Sequence, residues 1–430
     1  MKRSRQFIIY IAVFAAVMLS LYLLLALCAT VPGPAIKNNM RISAKYFVNS
    51  APYTSTEDGK FQNIADNYAD QIWSNIAWHL GSGDPFLSTL DTGYYDSEEY
   101  DTSTGLHMSV NLGMEANVDY TRYWHGTAGL IRLLHLFTDI HGIRTIGMVC
   151  LVLLLLKTFL TLCRNGYWDL GVCVLVSVGL VQFWNLRLSV EYMPCFLICF
   201  GLCPAFLRLE KQGDFYLNLL GIVSGTLTAF FDFLTTETLT ILFPLILVIV
   251  IRSRERRLGS PRQVLRMLLH CGLCWLLAYV GTFAVKWCAV SLATDKNHLL
   301  AAMDSVGQRV NGMVKESDGV KVPGMLMAVG SNFTVLFEGT SRTEYRQVLS
   351  KLVVIAVFAL FVYRVYRVRR KLRPGTGYIL LLGSVVLLRY GVLANHAYLH
   401  SFFTYRALAS TILAVLTAML LNLYPGQKRR

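Results

Sequence analysis

The chain is organised around one acidic and aromatic stretch, Asn63-Ile-Ala-Asp66-Asn-Tyr-Ala-Asp70-Gln-Ile-Trp73-Ser-Asn-Ile-Ala-Trp78. Its periodicity predicts a helix that begins in a polar loop and has one apolar face, formed by Ala69, Ile72, Trp73, Ile76 and Leu80. Asp66 and Asp70 are four residues apart, so we expect them side by side at the edge of that face. The alternative is that Asp66 caps the helix and Asp70 is a solvated side chain.

The composition indicates a polytopic membrane protein. Of the 430 residues, 54% are hydrophobic and 15% are charged, and the mean hydropathy is +0.47. The net charge of +14 is unevenly distributed, because 33–141 holds 13 of the 26 acidic residues against six basic ones. Lys and Arg instead lie largely in the amino-terminal segment and in short breaks between apolar runs. This is the positive-inside pattern of a membrane protein, and we expect no nucleic-acid partner.

Apolar runs alternate with short polar breaks along most of the chain. The first run, 7–31, follows a basic segment and is predicted to be a retained transmembrane helix. Nine further runs are predicted to span the membrane: 142–162, 168–184, 191–207, 214–231, 234–251, 264–290, 350–366, 376–395 and 402–423. Basic residues in every second break agree with ten spans and with both termini in the cytoplasm. This orientation predicts a multi-pass protein of the cell membrane whose acidic stretch, and the site around it, face outward.

Two long polar segments, 32–141 and 291–349, are predicted to be extracytoplasmic loops. The first contains the acidic stretch and ends in an amphipathic, aromatic segment, 120–137, which is expected to lie as a helix along the outer membrane interface. The predicted fold is an all-α polytopic membrane protein, a single membrane domain over 1–430. Transmembrane helices 2–7 fall in 142–290 and helices 8–10 in 350–423.

Ionisable residues are concentrated at the predicted outer ends of the spans. An ionisable group at membrane depth costs about 2.5–3.5 kcal/mol on insertion scales, so such groups normally face a cavity or a partner. Their convergence predicts a polar cavity that opens outward. Simpler explanations are a pair between Arg187 and Glu191, interfacial positions for His396 and His400, and snorkelling of Arg389.

The cysteine pattern and the motif content exclude several functions. All ten cysteines lie in or at the ends of apolar runs, which argues against a disulfide framework and a cysteine metal site. Phosphate-binding glycine motifs, a zinc-protease motif and a nucleophile elbow are missing from the sequence. No metal ligands are assigned, and a divalent cation stays open as a cofactor.

The organisation and three short stretches resemble the GT-C class of membrane glycosyltransferases. The stretches are Asp66-Asn-Tyr-Ala-Asp70, Arg122-Tyr-Trp-His-Gly126 and 396–406, which look like those of bacterial proteins associated with this class. The shared organisation is a helical body, a large first outer loop with interface helices and a catalytic acidic residue, and a cavity under that loop. The sequence lacks a WWDYG-type signature, so transfer to protein asparagine is not expected.

The resemblance implies transfer of a sugar from a polyprenyl-phosphate-linked donor in the membrane lipid to a glycan or other cell-envelope acceptor. A carboxylate would take the proton of the acceptor hydroxyl, with Asp70 the first choice and Asp66 the second. Basic groups would hold the phosphate as its charge grows, and the candidates are Arg389, Arg406 and His400. The other expected substrate-binding residues are His396, Arg122, Glu191, Asp232 and Glu237.

Two other functions are compatible with an outward cavity. A transporter or flippase of a lipid-linked or small polar substrate would use the same charges, but it also needs access from the cytoplasmic side. The ionisable residues within the predicted spans crowd the outer half, which favours an enzyme. The third function is a non-catalytic partner in surface polysaccharide assembly.

Overall fold

In a computed structural model, the protein is described over residues 3–55, 61–97, 99, 101–294, 297–312, 314–316, 319–321, 323–338 and 372–423. The helices in these ranges are α1 (Arg3–Ala29), α2 (Gly33–Val48), α3 (Asn67–His79), α4 (Pro85–Leu90), α5 (Gly105–His107), α6 (Gly126–Leu134), α7 (Ile140–Arg164), α8 (Trp168–Leu180), α9 (Pro194–Leu209), α10 (Asp214–Phe231), α11 (Leu239–Arg254), α12 (Pro261–Thr294), α13 (His298–Asn311), α14 (Met325–Glu338), α15 (Thr376–Val392), α16 (Ala394–Leu399), α17 (Ser401–Thr404) and α18 (Leu408–Leu423).

Strands play a minor part in the described chain. They form antiparallel pairs between neighbouring segments: β1 (Tyr53–Ser55) with β2 (Ile64–Asp66), β3 (Gly93–Tyr94) with β4 (Val118–Asp119), and β5 (Val314–Glu316) with β6 (Gly319–Lys321). The predominantly helical architecture confirms the predicted class of an all-α membrane protein.

Six helical segments of the described chain are long and apolar enough to cross a membrane. They are Ser4–Ala29, Ile140–Arg164, Val190–Gln212, Asp214–Phe231, Pro261–Thr294 and Ser401–Asn422. The runs predicted at 168–184, 234–251 and 376–395 correspond to the shorter helices α8, α11 and α15. The run predicted at 350–366 lies outside the described residues, so the count of ten spans stays a prediction. An additional apolar helix, α14, lies inside the segment predicted to be the second outer loop.

Helix α11 lies at the centre of the bundle. Every residue from Leu239 to Ile251 is buried, and the helix packs against α9, α15 and α18. A helix that is apolar on all sides is stable only when it is surrounded by apolar neighbours, which is the position that this sequence dictates.

Helices α10 and α12 approach each other closely. A Cβ atom at Gly225 would lie 2.2 Å from the carbonyl oxygen of Trp275, and one at Gly221 would lie 2.9 Å from that of Cys271. Two glycines four residues apart therefore let the two backbones touch, as small residues do between membrane helices. All ten cysteines, including Cys271, are free.

Helix α3 confirms the apolar face that the opening stretch predicts, because Ala69, Ile72, Trp73, Ile76 and Leu80 are all buried. The sequence left open whether Asp66 lies on the edge of the helix or caps it. Residues 61–66 form a 3-10 turn and strand β2, so the helix begins after Asp66. Asp66 is therefore the cap of the helix and not part of its lateral face.

The predicted helix at 120–137 is shorter than expected, and it is α6. It packs against α1 and α3. Its Arg132 is only 1% exposed and donates hydrogen bonds to the carbonyl oxygens of Val31, Ala77 and Trp78. Arg132 thereby fastens the ends of α1 and α3 to the segment that follows them.

The bundle has two polar ends of different character. At one end, Glu210 pairs with Arg252 at 3.1 Å and with Arg257 at 2.6 Å. This is the end where α10 begins and α11 finishes. At the other end, the turn between α10 and α11 lies beside Trp73 of α3 and carries acidic residues, and we call it the acidic turn. That second end holds the candidate functional site.

Candidate functional site

Asp70 is fully buried and has a full set of partners. One carboxylate oxygen forms an ion pair with Nε of Arg144 at 2.7 Å. The other accepts from Ser189 Oγ at 2.7 Å and from the backbone N–H of Val190 at 2.9 Å. The structure thus gives Asp70 a role in joining α3 to α7 and to the 189–190 backbone. Both carboxylate oxygens are thus occupied by donors of the protein itself, so the structure does not favour Asp70 as the free base of the sequence hypothesis.

Asp66 lies at the start of α3, where Oδ1 accepts from the backbone N–H of Ala69 at 2.8 Å. Its carboxyl group lies close enough to that of Glu191 for the two to share a hydrogen bond. Two carboxyl groups can form such a bond only when one of them is protonated. Burial raises the pKa of Asp66 to about 7, and the nearby Asp70 raises it further against the opposing effect of the Ala69 N–H. Asp66 is therefore poised to exchange a proton near neutral pH.

Glu191 comes from the 3-10 turn Val190–Tyr192 that precedes α9. The residue is 6% exposed, and Oε2 is buried without a hydrogen-bond partner among the described residues. The predicted pair with Arg187 does not form, because Arg187 points to the surface while Glu191 is buried. A buried carboxylate oxygen without a donor is uncommon and marks a position where a ligand can bind.

Arg406 is buried and is connected to this carboxyl pair through Tyr192, the residue that follows Glu191. Its exposed fraction is 1%, and the hydrogen bonds that it donates to the carbonyl oxygens of Phe402 and Gln62 are long, at 3.3 Å. Nε has no partner among the described residues, and no ion pair of those residues includes Arg406. Its guanidinium carbon lies 4.5 Å from the centre of the Tyr192 ring. A buried guanidinium with one free donor is suited to an anionic ligand.

Tyr192 connects the parts of this cluster. It follows Glu191 in the chain, its ring supports Arg406, and its hydroxyl donates to the carbonyl oxygen of Ile64 at 3.0 Å. Ile64 is two residues before Asp66 on β2. We call Asp66, Glu191, Tyr192 and Arg406 the carboxyl–arginine cluster.

The turn between α10 and α11 is held by Arg389 on α15. Arg389 donates from Nε to Glu237 Oε1 at 2.7 Å, and from Nη2 to Glu237 Oε2 at 3.1 Å and to the carbonyl oxygen of Leu234 at 2.6 Å. Leu234 has φ of 64°, in the left-handed region that non-glycine residues seldom adopt. Arg389 and Glu237, both expected to contact substrate, are thus paired with each other. Nη1 is the one guanidinium nitrogen of Arg389 that has no partner among the described residues.

Asp232 begins the same turn and is buried. Its carboxylate accepts from the backbone N–H of Thr235 at 2.9 Å. Burial, and next the nearby Glu237, raise the pKa of Asp232 to about 6. The following residue, Phe233, packs edge-on against Trp73 of α3 with ring centres 4.4 Å apart. The turn therefore lies against the helix that Asp66 caps.

His396 and His400 lie over this turn. The ring of His396 bonds to the carbonyl oxygen of Leu234 at 2.9 Å, and the two imidazole rings are 4.6 Å apart. Burial lowers the pKa of both residues, and the neighbouring Arg389 lowers them as well. Both imidazoles are therefore neutral at neutral pH and can offer a phosphate hydrogen bonds without charge.

Arg122 is half-buried against aromatic rings. Its guanidinium carbon lies 4.4 Å from the centre of the Tyr120 ring and 5.7 Å from that of Tyr123. Both rings pack on Phe233 of the acidic turn. Arg122 thus contacts this turn through the two rings, and its Nε is buried without a partner among the described residues.

A group of side-chain amides next to the carboxyl–arginine cluster was not expected from the sequence. Asn185 donates to Asn63 Oδ1 at 2.6 Å. Gln182 donates to the side-chain oxygen of Gln62, and the backbone carbonyl oxygen of Gln62 accepts from Arg406. Gln182 has φ of 54°, a second left-handed residue. The sequence indicated this group only by two amide residues, Gln182 and Asn185, at the end of the apolar run predicted as the third span. Within the described ranges, no three His, Cys, Asp or Glu side chains are grouped as metal ligands.

Similarity to known proteins gives no assignment for this cluster. No family model matches the chain, and neither a curated protein nor a solved structure matches it. The geometry of the cluster is therefore what supports a function.

Proposed function

We propose that this protein is a GT-C-like membrane glycosyltransferase that moves a sugar from a polyprenyl-phosphate-linked donor to a cell-envelope acceptor on the extracytoplasmic face. The observation that carries the proposal is the carboxyl–arginine cluster. It combines two neighbouring buried carboxyl groups, those of Asp66 and Glu191, with the buried guanidinium of Arg406, which has a free donor. Transfer of a sugar from a phosphate needs a proton acceptor for the incoming hydroxyl and a cation for the departing phosphate.

The proposed reaction assigns the proton to Asp66. The acceptor hydroxyl attacks the anomeric carbon while the bond from that carbon to the phosphate oxygen breaks, with inversion. The hydroxyl proton passes to Asp66, and the electron pair of the broken bond leaves with the polyprenyl phosphate. Glu191 shares the proton and adjusts the basicity of Asp66, as coupled carboxyl groups do. A pKa of about 7 matches the pH at which such a base works best.

Arg406 is proposed to hold the phosphate of the donor. As the sugar leaves, negative charge grows on the phosphate, and a guanidinium in a dry surrounding stabilises it more than water would. The long bonds of 3.3 Å that Arg406 now makes to carbonyl oxygens are weak and can be exchanged for phosphate oxygens. We assign Arg389 to support of the acidic turn, and we keep His396, His400 and Arg122 as contacts of the donor near that turn.

The proposal is tested with purified protein in proteoliposomes. A panel of polyprenyl-phosphate-linked sugars is supplied with candidate glycan acceptors, and release of polyprenyl phosphate and the mass of the product are measured. Formation of a glycosylated acceptor supports the enzyme. Movement of the donor between leaflets without cleavage would assign the protein to the transporters, and binding without either would leave a non-catalytic partner in polysaccharide assembly.

The membrane orientation gives a direct prediction. Ser82 and Ser260 are both exposed. Ser82 lies in the predicted outer loop 32–141, and Ser260 lies just before α12. We expect a cysteine at Ser82 to react with a membrane-impermeant thiol reagent in intact cells, and a cysteine at Ser260 to react only after lysis. The measurement requires a background in which the exposed Cys150 and Cys288 are replaced. Labelling at Ser260 alone would invert the proposed topology.

The raised pKa of Asp66 predicts a pH profile. A base must be deprotonated, so transfer should rise with pH, half-maximal near the pKa of about 7, and then level off. Stability should change in the opposite sense. The folded-state pKa exceeds the ordinary 3.8, so this contribution to stability is complete below about pH 4 and disappears as the pH rises through 7. Initial rates and thermal unfolding across this range measure both, and a flat rate profile would remove Asp66 from the chemistry.

A further inference from the structure

A groove of about 700 Å³ lies between α1, α10 and α12, at the end of the bundle opposite to the carboxyl–arginine cluster. It exists because the three helices are held together unequally. The glycine pair of α10 fixes α10 against α12, whereas the buried residues of α1 begin only at Met18. Along its first four turns α1 touches α10 at Tyr10, which contacts Asn218 and Phe215, and the space left beside these contacts is the groove.

The lining of the groove changes along its length. Toward the middle of the bundle it is apolar and includes Phe14, Ile222 and Leu277. Toward the end where α1 and α10 begin, it is polar. The polar lining residues are Gln6, Tyr10, Asp214, Asn218, Gln263, Arg266 and His270. An elongated site with one polar end and an apolar interior is suited to a lipid and not to a soluble polar metabolite.

Asn218 provides an unsatisfied group in this lining. It is 6% exposed, and its amide nitrogen donates to the Tyr10 hydroxyl at 2.9 Å. Its oxygen Oδ1 is buried and accepts no hydrogen bond from the described residues. A buried acceptor in a groove wall favours a ligand with a hydrogen-bond donor.

The polar end also carries both signs of charge. Arg266 on α12 is exposed and takes part in none of the ion pairs among the described residues. Asp214 begins α10, and its half-exposed carboxylate contacts Arg252 at 2.8 Å through one oxygen. The two helices thus present a cation and an anion to the same opening, which complements a zwitterionic headgroup.

We propose that this groove binds one molecule of phosphatidylethanolamine. The phosphate lies at Arg266, the ammonium group donates to Asn218 Oδ1 and faces Asp214, and the acyl chains follow the apolar lining past Phe14 and Leu277. Phosphatidylcholine has the same charges and no ammonium donor. Phosphatidylglycerol has hydroxyl donors and no positive charge. The site does not depend on the proposed glycosyl transfer, because it lies at the other end of the bundle.

Native mass spectrometry of the full-length protein tests the site. The protein is extracted from vesicles containing equal amounts of phosphatidylethanolamine, phosphatidylcholine and phosphatidylglycerol with identical acyl chains. We expect one phosphatidylethanolamine to be retained with about tenfold preference over either competitor. Equal retention of the three lipids, or preference for phosphatidylcholine, would overturn the assignment.

Variants separate the headgroup contacts from general packing. Arg266→Gln should weaken retention of phosphatidylethanolamine, whereas Arg262→Gln, one turn earlier, exposed and outside the lining, should not. Asn218→Leu should abolish the preference over phosphatidylcholine, and Asn218→Asp, which keeps the acceptor, should restore it. Size-exclusion profiles report whether each variant folds. If Arg266→Gln and Arg262→Gln bind alike and Asn218→Asp behaves as Asn218→Leu, the site is not where we place it.

Discussion

Replacing Asp66 with Asn should lower sugar transfer at least a hundredfold, about 3 kcal/mol in the activation barrier, while donor binding survives. The substitution removes the proton acceptor and its share of the hydrogen bond with Glu191. It keeps the helix cap, because Asn accepts from the N–H of Ala69 as well as Asp does. Initial rates and donor binding by the purified variant measure the two effects separately.

Asp84→Asn is the matched control for this experiment. Asp84 is also a helix cap, and its carboxylate accepts from the backbone N–H groups of Phe86 and Leu87. It is exposed and is not a member of the carboxyl–arginine cluster. Transfer should be unchanged in Asp84→Asn. If Asp66→Asn retained full activity and Asp232→Asn or Glu237→Gln lost it, the base would belong to the acidic turn.

Replacing Asp70 with Asn should destabilise the protein by about 3–5 kcal/mol, because it leaves the buried charge of Arg144 without its counter-ion. The prediction differs from the catalytic role that the sequence suggested, in which loss of Asp70 affects rate and not stability. Thermal unfolding of the purified protein in detergent measures the change.

A double-mutant cycle gives the control for Asp70. Removing both charges, in Asp70→Asn with Arg144→Gln, should recover a large part of the lost stability, since no unpaired ion is then buried. If the stability lost in the double variant equals the sum of the losses in the two single variants, the ion pair at 2.7 Å contributes no coupling energy. A stable but inactive Asp70→Asn protein would return Asp70 to the chemistry.

The local features of the opening stretch were predictable from its residues. The spacing of Ile72, Trp73 and Ile76 fixes a 3.6-residue period, and these side chains are buried as expected. The boundary of the helix was not predictable in the same way. Ile64 and Ala65 fit a helical pattern, but Ile64 pairs with Ser55 in a strand, a contact set by a residue earlier in the chain. Tertiary pairing overrides local periodicity at that point.

The roles within the site could not be read from residue type alone. Asp66 and Asp70 look equivalent in the sequence, and only the distant partners of Asp70, Arg144 and Ser189, distinguish them. Arg144 lies near the start of the predicted second span, and an arginine at that position indicates a buried ion pair. The sequence does not show which acidic residue is its partner. The amide group around Asn185 was missed for the same reason, because its members come together only in the fold.

The contacts of Arg406 and Arg389 have a consequence for the order in which the protein is assembled in the membrane. Arg406 reaches the carbonyl oxygen of Gln62 across 344 residues, and Arg389 reaches Glu237 across 152. During synthesis, the acidic turn and the segment that contains Gln62 are made long before either arginine. Until then Glu237 has no counter-ion, so the early helices should remain loosely associated. The carboxyl–arginine cluster should therefore form last, as a post-insertion step, and ribosome-bound chains that stop before Arg389 should be sensitive to proteases at the acidic turn.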